Sequence, residues 1–265
     1  PASHKAADVV AVLETYINQT GVVTLLGNGV QHVTLENNEV ISVTCAGASY
    51  RAREFIFATG SISHPETGST GDGFRWLKQA GHSVVDPTPD IVPLASNTSW
   101  VKEISGTTLH DIKITFFCEG EKQFSLKGDV LCTHFGLSGP LILNTARKVA
   151  DLLQSGEVTA TIDMYPHLDL GALQRFILTV FDNNKNKTLK NVLGELAPNG
   201  ARKGLQVLLE KRVAFETKVH SVSKEDRKEL AMTLKAMPLA ITGLMGFDKA
   251  VIADGGLDLR EVDFK

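Results

Sequence analysis

The chain has 265 residues, and 27 Lys and Arg against 30 Asp and Glu leave a formal charge of −3. With 43% apolar and 22% charged residues it reads as globular, not disordered. The near-neutral balance removes the electrostatic case for a nucleic-acid partner, and no apolar run approaches the roughly 18 residues of a membrane span.

At about 150 residues per domain, the length allows one large domain or two ordinary ones. The start, Pro1-Ala2-Ser3-His4-Lys5, has no Met and no apolar stretch behind it, so it does not read as a signal peptide. Cys45, Cys118 and Cys132 are odd in number and form no C-x-x-C pair. That argues against a disulfide framework or a zinc site and for a reducing cytoplasm.

Ala6, Val9, Val10, Leu13 and Ile17 recur at helical spacing, which predicts an amphipathic helix over 5–20 with Ser3 as N-cap and Gly21 as stop. Strands are predicted at 22–26, 30–36, 40–45 and 50–58, with turns at Asn37-Asn38 and Gly47. The continuous apolar end of the last run, Phe55 to Ala58, suits a strand buried on both faces of a parallel sheet. Residues 60–73 form a glycine-rich loop before a short helix over 74–80 that Gly81 ends. Pro87, Pro89 and Pro93 mark a boundary between sub-structures.

Short strands follow at 112–118, 123–126, 130–133 and 158–163, with a helix at about 140–154 between the last two. After Pro166 the pattern turns helical, over 169–182, 187–196, 199–213 and 223–236. The run Lys224 to Glu229 reads as a solvated helix face. Strand signals return at 239–242, 250–253 and 257–262. The fold class is therefore mixed α+β, with a helical insertion in a β-rich unit.

Most motif candidates fail on spacing. Gly27-Asn28-Gly29 opens like a dinucleotide loop, but His32 stands where the third glycine belongs and the run leads into a strand, so a hairpin turn is the better reading. In Gly136-Leu137-Ser138-Gly139-Pro140 the second glycine is adjacent to the serine, which breaks a nucleophile elbow. Ser138 reads as the cap of a helix with Pro140 at its first position. The eight histidines form no metal-ligand cluster. His134, between a strand and a glycine turn, is open to a structural or a ligand-facing role.

What remains is Ala58-Thr59-Gly60 followed by Pro65 to Phe74. Small residues at a strand end permit close approach to a ligand. Gly68, Ser69, Thr70, Gly71, Asp72 and Gly73 present backbone N–H groups, hydroxyls and one carboxylate just before a helix. The physical alternatives are a ligand-contacting loop and a plain connector.

At this loop the chain resembles a known family, the bacterial NAD(P)/FAD-dependent oxidoreductases of the aminoacetone-oxidase-like and bile-acid-enoyl-reductase-like type. The resemblance runs in order through Pro1 to Leu13, Phe55 to Gly60, Pro65 to Phe74 with Gly81-His82, Ile91 to Leu94, Thr133 to Pro140, Lys187 to Asn191 and Thr242 to Glu261. It departs at Ser61, where the family has a second glycine, and at Ala253-Asp254.

The resemblance implies an internal fragment of such a flavoprotein, lacking the family's opening strand–glycine-loop–helix unit and its closing segment. It implies the end of an FAD-binding α/β domain at 1–88, a β-barrel-like domain at 89–166 and 238–265, and an inserted helical domain at 167–237.

It also implies hydride transfer between flavin and a small substrate, with NAD(P)H or oxygen as second partner. Thr59, Gly60 and residues 68–73 would lie along the cofactor, and His134 would face the site. The missing FAD-domain segments would be its partners, with no nucleic acid and no membrane. The fragment itself would be poor in flavin and inactive. The alternative is a flavin-free interaction module that works through the helical segment.

Overall fold

The computed structural model describes residues 1–264. Its chain separates into two compact units, Pro1–Ala58 with Arg75–His82, and Thr59–Phe74 with everything from Ser83 on.

In the first unit the expected helix forms as α1, Ala6–Gln19. Lys5 is its N-cap, not Ser3, and Gly21 follows it in the left-handed region. Val9, Val10, Leu13 and Ile17 are all exposed, and no residue of α1 is buried. Three strands then form an antiparallel meander: β1 (Val30–Glu36), β2 (Glu39–Cys45) and β3 (Ala48–Tyr50). Asn37 and Asn38 both have positive φ, as a two-residue hairpin turn with the strand's own twist requires.

Two predicted strands of this unit do not form. Residues 22–26 pair with nothing among the described residues and are exposed, so Gly27 to Gly29 is a turn leading into β1 and not a hairpin. Residues 51–58 are extended without a ladder: Phe55 and Phe57 are half-buried while Ile56 is 92% exposed, which is not a strand covered on both faces. An extended segment becomes a strand only when a neighbour takes up its N–H and C=O groups. The ring of Phe57 meets Trp76 edge-on at 6.2 Å, on helix α2 (Asp72–Gln79), which Gly81 ends as expected.

In the second unit β4 (Val84–Asp90) begins the chain that runs on through β5 (Leu94–Ala95), helix α3 (Ser99–Glu103), β6 (Thr108–Cys118) and β7 (Glu121–Thr133). The alternation Ile112, Ile114, Phe116, Cys118 buries one face of β6. β7 is one strand and not two, because pairing with β6 continues from Leu126 through Gly128 to Val130.

After β8 (Gly136–Ser138) come α4 (Pro140–Leu143), α5 (Ala146–Ser155) and β9 (Val158–Asp163). The four helices of the expected insertion follow: α6 (Leu170–Asn183), α7 (Leu189–Leu196), α8 (Arg202–Leu209) and α9 (Lys224–Lys235). Asp169 caps α6 by accepting from Ala172 N at 2.6 Å, and Ser223 caps α9 by accepting from Asp226 N at 3.0 Å. The chain returns as β10 (Met237–Ile241), β11 (Gly243–Leu244) and β12 (Ile252–Leu257). The third strand signal, at 257–262, is a short 3₁₀ turn at Leu259–Glu261, with the Asp258 carboxylate accepting from Arg260 N.

β12 pairs with β4. The other strands of this unit form one antiparallel sheet in the order β10-β9-β6-β7-β8-β5-β11. β10 and β11 are successive stretches of one segment, so the sheet curls back toward itself without a ladder between its ends and is not a closed barrel. Its inner face and the stripes of α6 to α9 share one core around Trp100, Ile114, Phe116, Ile177 and Leu205. Among the described residues no helix is long and apolar enough to cross a membrane.

Candidate functional site

The loop Thr59–Phe74 is held in shape by three glycines. A Cβ on Gly60 would lie 2.6 Å from Ser69 Oγ, one on Gly71 would lie 2.6 Å from Ile62 Cγ2, and one on Gly73 would collide with the Thr59 hydroxyl. Residues 59–62 and 69–73 are thus drawn against each other, so the predicted Thr59, Gly60, Ser69, Gly71 and Gly73 do converge.

Between them Pro65–Thr67 form a 3₁₀ turn closed by Gly68 N donating to Pro65 O at 3.0 Å. His64 N donates to Phe247 O at 3.0 Å, and the His64 ring meets Glu66 Oε1 at 2.8 Å. The Glu66 carboxyl is held below its usual range by its own backbone N–H and then by His64.

Two features show what the loop offers a ligand. Ser61 Oγ and Ser63 Oγ are buried and have no hydrogen-bond partner among the described residues. Such hydroxyls cost free energy unless another group satisfies them. At the start of α2, Thr70 Oγ1 donates to Asp72 Oδ2 at 2.7 Å. A carboxylate there disfavours a phosphate at the helix start and suits a hydroxyl or ring N–H donor. The N–H groups of Gly68 and Thr70 are engaged inside the loop, on Pro65 O and Gly68 O. The loop is therefore compact, polar and short of partners at two hydroxyls. That fits the polar edge of a heterocycle or polyol better than a bare phosphate.

His134 is exposed on the turn between β7 and β8, its ring 4.9 Å from that of Phe135. The turn is closed by Thr133 Oγ1 donating to Gly136 O at 3.0 Å and accepting from Gly136 N at 3.1 Å, and is tied to β5 by Ser96 N donating to Phe135 O. Among the described residues no hydrogen bond or ring contact joins His134 to the loop at 59–74, or to Ser138. Ser138 is not the cap of α4: that residue is Gly139, at φ 97°, and Ser138 lies in β8 opposite Leu131. A glycine at that φ avoids the strain a side chain would meet.

Sequence reading missed a second feature. Arg147 Nη1 of α5 reaches Asp254 Oδ2 of β12 at 2.9 Å, beside a cavity of about 350 Å³ that Thr88, Asp90 and Asp151 also line. Only the odd Ala253-Asp254 pair hinted at it.

All three cysteines are buried and free, and burial pushes the Cys132 thiol up to about 12. At pH 8 the native chain is therefore expected to resist iodoacetamide at all three and to react fully in denaturant, read by intact mass. Rapid labelling of Cys132 in native buffer would contradict this. Among the described residues no three His, Cys, Asp or Glu side chains converge as a metal site.

The chain is similar to two curated ribosomal RNA dihydrouridine synthases. One, from Haemophilus influenzae, is 24% identical over 98% of this chain and 62% of its own length. The other, from Escherichia coli, is 24% identical over 82% and 51%. It is also similar to a 3-dehydro-bile acid delta(4,6)-reductase of Clostridium scindens, 23% identical over 99% of this chain and 63% of that protein. The chain thus spans between half and two thirds of the length of these relatives. Residues 88–252, from β4 through the sheet and all four helices to the start of β12, match the family model described as HI0933-like protein barrel and H2TH domain, and the chain belongs to that family.

Proposed function

We propose that this chain is part of an FAD-dependent reductase that saturates a C=C bond conjugated to a carbonyl. The observation that carries the reading is the loop at 59–74, drawn together at Gly60, Gly71 and Gly73 and carrying the unpartnered Ser61 and Ser63 hydroxyls.

The names of the relatives support the same chemistry twice. Making dihydrouridine saturates the uracil C5=C6 bond, which is conjugated to the C4 carbonyl. A delta(4,6)-reductase acting on a 3-dehydro steroid saturates bonds conjugated to the C3 ketone. In both, hydride adds at the carbon remote from the carbonyl, the electron pair moves toward oxygen, and a proton completes the neighbouring carbon.

A bound FAD, reduced by NAD(P)H, would supply that hydride. Thr59 and Gly60 would approach its polar edge through backbone, and Ser61 and Ser63 would spend their free hydroxyls on it. Ser69 and Thr70, with Gly68, Gly71 and Gly73, would hold the loop to its shape. Asp72 would accept from a hydroxyl. His134, exposed on a rigid turn, is the proposed proton donor.

In this reading residues 1–88 finish the FAD domain, 89–166 with 238–265 form the β domain, and 167–237 form the inserted helical domain. Further FAD-domain segments complete the site.

Expressed from its complete reading frame, the protein is expected to purify yellow with absorbance at about 450 nm and to consume NAD(P)H when given an α,β-unsaturated carbonyl substrate. The 265-residue chain alone is expected to hold flavin far below one equivalent. Absence of flavin from the complete protein would sink the reading. A stoichiometrically yellow 265-residue chain would sink only the claim that further segments are needed.

A further inference from the structure

We infer that the helical segment carries a binding surface for the phosphate backbone of folded RNA, built on the strip that joins residues 185–190 to 215–220. The inference rests on the reductase reading only in that it selects the substrate class for it.

The overall charge of −3 is an average over two unlike parts. Residues 167–236 hold 13 Lys and Arg against 8 Asp and Glu, whereas the rest of the chain holds 14 against 22. The whole-chain balance that argues against nucleic acid therefore conceals a basic segment, and binding depends on the local field and not on the sum.

The positive charges of that segment are gathered by backbone geometry. Thr188 and Lys218 form an antiparallel bridge. Leu189 N donates to Thr217 O at 2.9 Å, Lys190 N to Phe215 O at 3.0 Å, and Val219 N to Lys187 O at 3.0 Å. His220 Nδ1 donates to Lys185 O at 2.7 Å, and Arg202 Nη2 donates to Lys190 O at 2.9 Å. Two stretches about thirty residues apart in sequence are thus zipped together. The result brings Lys185, Lys187, Lys190, Arg202, Lys218 and His220 onto one strip, with every one of them exposed.

Three carboxylates face it. Asp182 lies 3.6 Å from Lys185, Glu195 3.8 Å from Lys187 and Glu216 3.2 Å from Lys190. These pairs are solvent-exposed and loose, worth at most about 1 kcal/mol each, and a phosphate can displace them. Among the described residues Arg202 and Lys218 have no ion pair.

The strip is held by the buried Leu189, Val192, Phe215 and Val219 behind it, so its charges are presented on a fixed frame. RNA is favoured over other polyanions because two relatives of the chain are named for ribosomal RNA.

The test is binding of the 265-residue chain to a fluorescently labelled RNA hairpin of about 20 base pairs, without flavin, across a salt series. Wild-type protein is expected to bind with an affinity that falls steeply with salt. The triple variant K185A/K190A/K218A, altered only at exposed side chains, is expected to bind about tenfold or more weaker, with a salt slope reduced by about three. The control K102A/K122A/K127A, also at exposed positions but on α3 and β7, is expected to match wild type.

No binding by wild type, a triple variant within twofold of it, or an equal loss in the control overturns the inference. Circular dichroism confirms that both variants fold. Because the readout needs no flavin, a protein that binds RNA through this strip but reduces nothing would refute the reductase reading alone. A reductase indifferent to the three lysines would refute only this one.

Discussion

Valine in place of Gly136 is expected to cost about 3–5 kcal/mol and to bring the second unit close to unfolding under ordinary conditions. Gly136 has φ 147°, and a Cβ there would fall on Leu94 O, 2.7 Å from Ser96 N and 3.0 Å from Ala95 C. Those obstacles are backbone atoms of β5 and its exit, and β5 is held on both sides, by β8 and by β11. It cannot retreat without breaking one ladder or the other.

The expected signature in urea is a large fall in midpoint with little change in slope. Gly29 is the contrast: it has no positive φ and nothing within 4 Å of its Cβ position, so Gly29→Ala should stay within about 0.5 kcal/mol of wild type. A Gly136→Val protein within about 1 kcal/mol of wild type would show that β5 gives way easily. The result bears on how the Thr133 to Pro140 motif is read. Its most specific glycine is required by strand packing, which makes the turn carrying His134 rigid whatever that histidine does.

Truncating Trp100 to alanine should cost a similar amount, about 3–5 kcal/mol. The side chain is fully buried on α3, and its Nε1 donates to Pro238 O of β10 at 2.6 Å. Its Cε3 lies 3.1 Å from where a Cβ on Gly204 of α8 would be. One ring therefore joins α3, the returning strand and the helical segment, and its loss leaves a cavity at their junction.

Trp100→Phe keeps most of the packing and loses the hydrogen bond, for which about 1 kcal/mol is expected on top of the volume lost. The chain has two tryptophans, both buried, so the Trp100 share of the fluorescence is the difference between wild type and the variant, and thermal unfolding is followed by circular dichroism. The blue-shifted emission should fall when Trp100 is removed and keep the share of Trp76, which is also buried. If the alanine variant melts within a few degrees of wild type, Trp100 is not the joint described here.

The helices were legible because their signal is local. Apolar spacing of three and four and a stopping Gly81 act within one or two turns, whereas the caps expected at Ser3 and Ser138 fall instead on Lys5 and Gly139. The long helical patterns appear in the structure within a few residues, except that the one expected at 140–154 is broken at Asn144 and Thr145 into α4 and α5. The Asn37-Asn38 hairpin was legible for the same reason.

Strands were less so. Residues 22–26 and the end of 51–58 are apolar runs of strand length, yet neither has a neighbour to pair with among the described residues. Conversely, 123–126 and 130–133 looked like two strands because Gly128 interrupts the apolar pattern, while the ladder to β6 runs through it. At the α4 start, sequence favoured the hydroxyl of Ser138, and backbone geometry selected Gly139.

Sequence alone therefore determined the mixed class, the order of the helices, the glycine-rich loop and the residues that make it polar. Only the tertiary structure decided which of those residues meet. Ser69 lies over Gly60 and Thr59 over Gly73, Arg147 reaches Asp254 across more than a hundred residues, and Lys185 to Lys190 are zipped to 215–220. The reason is physical. Periodicity, capping and turn preference are energies of a few neighbouring residues. Strand partners, close approaches and charge clusters depend on which distant segments the shared core brings together.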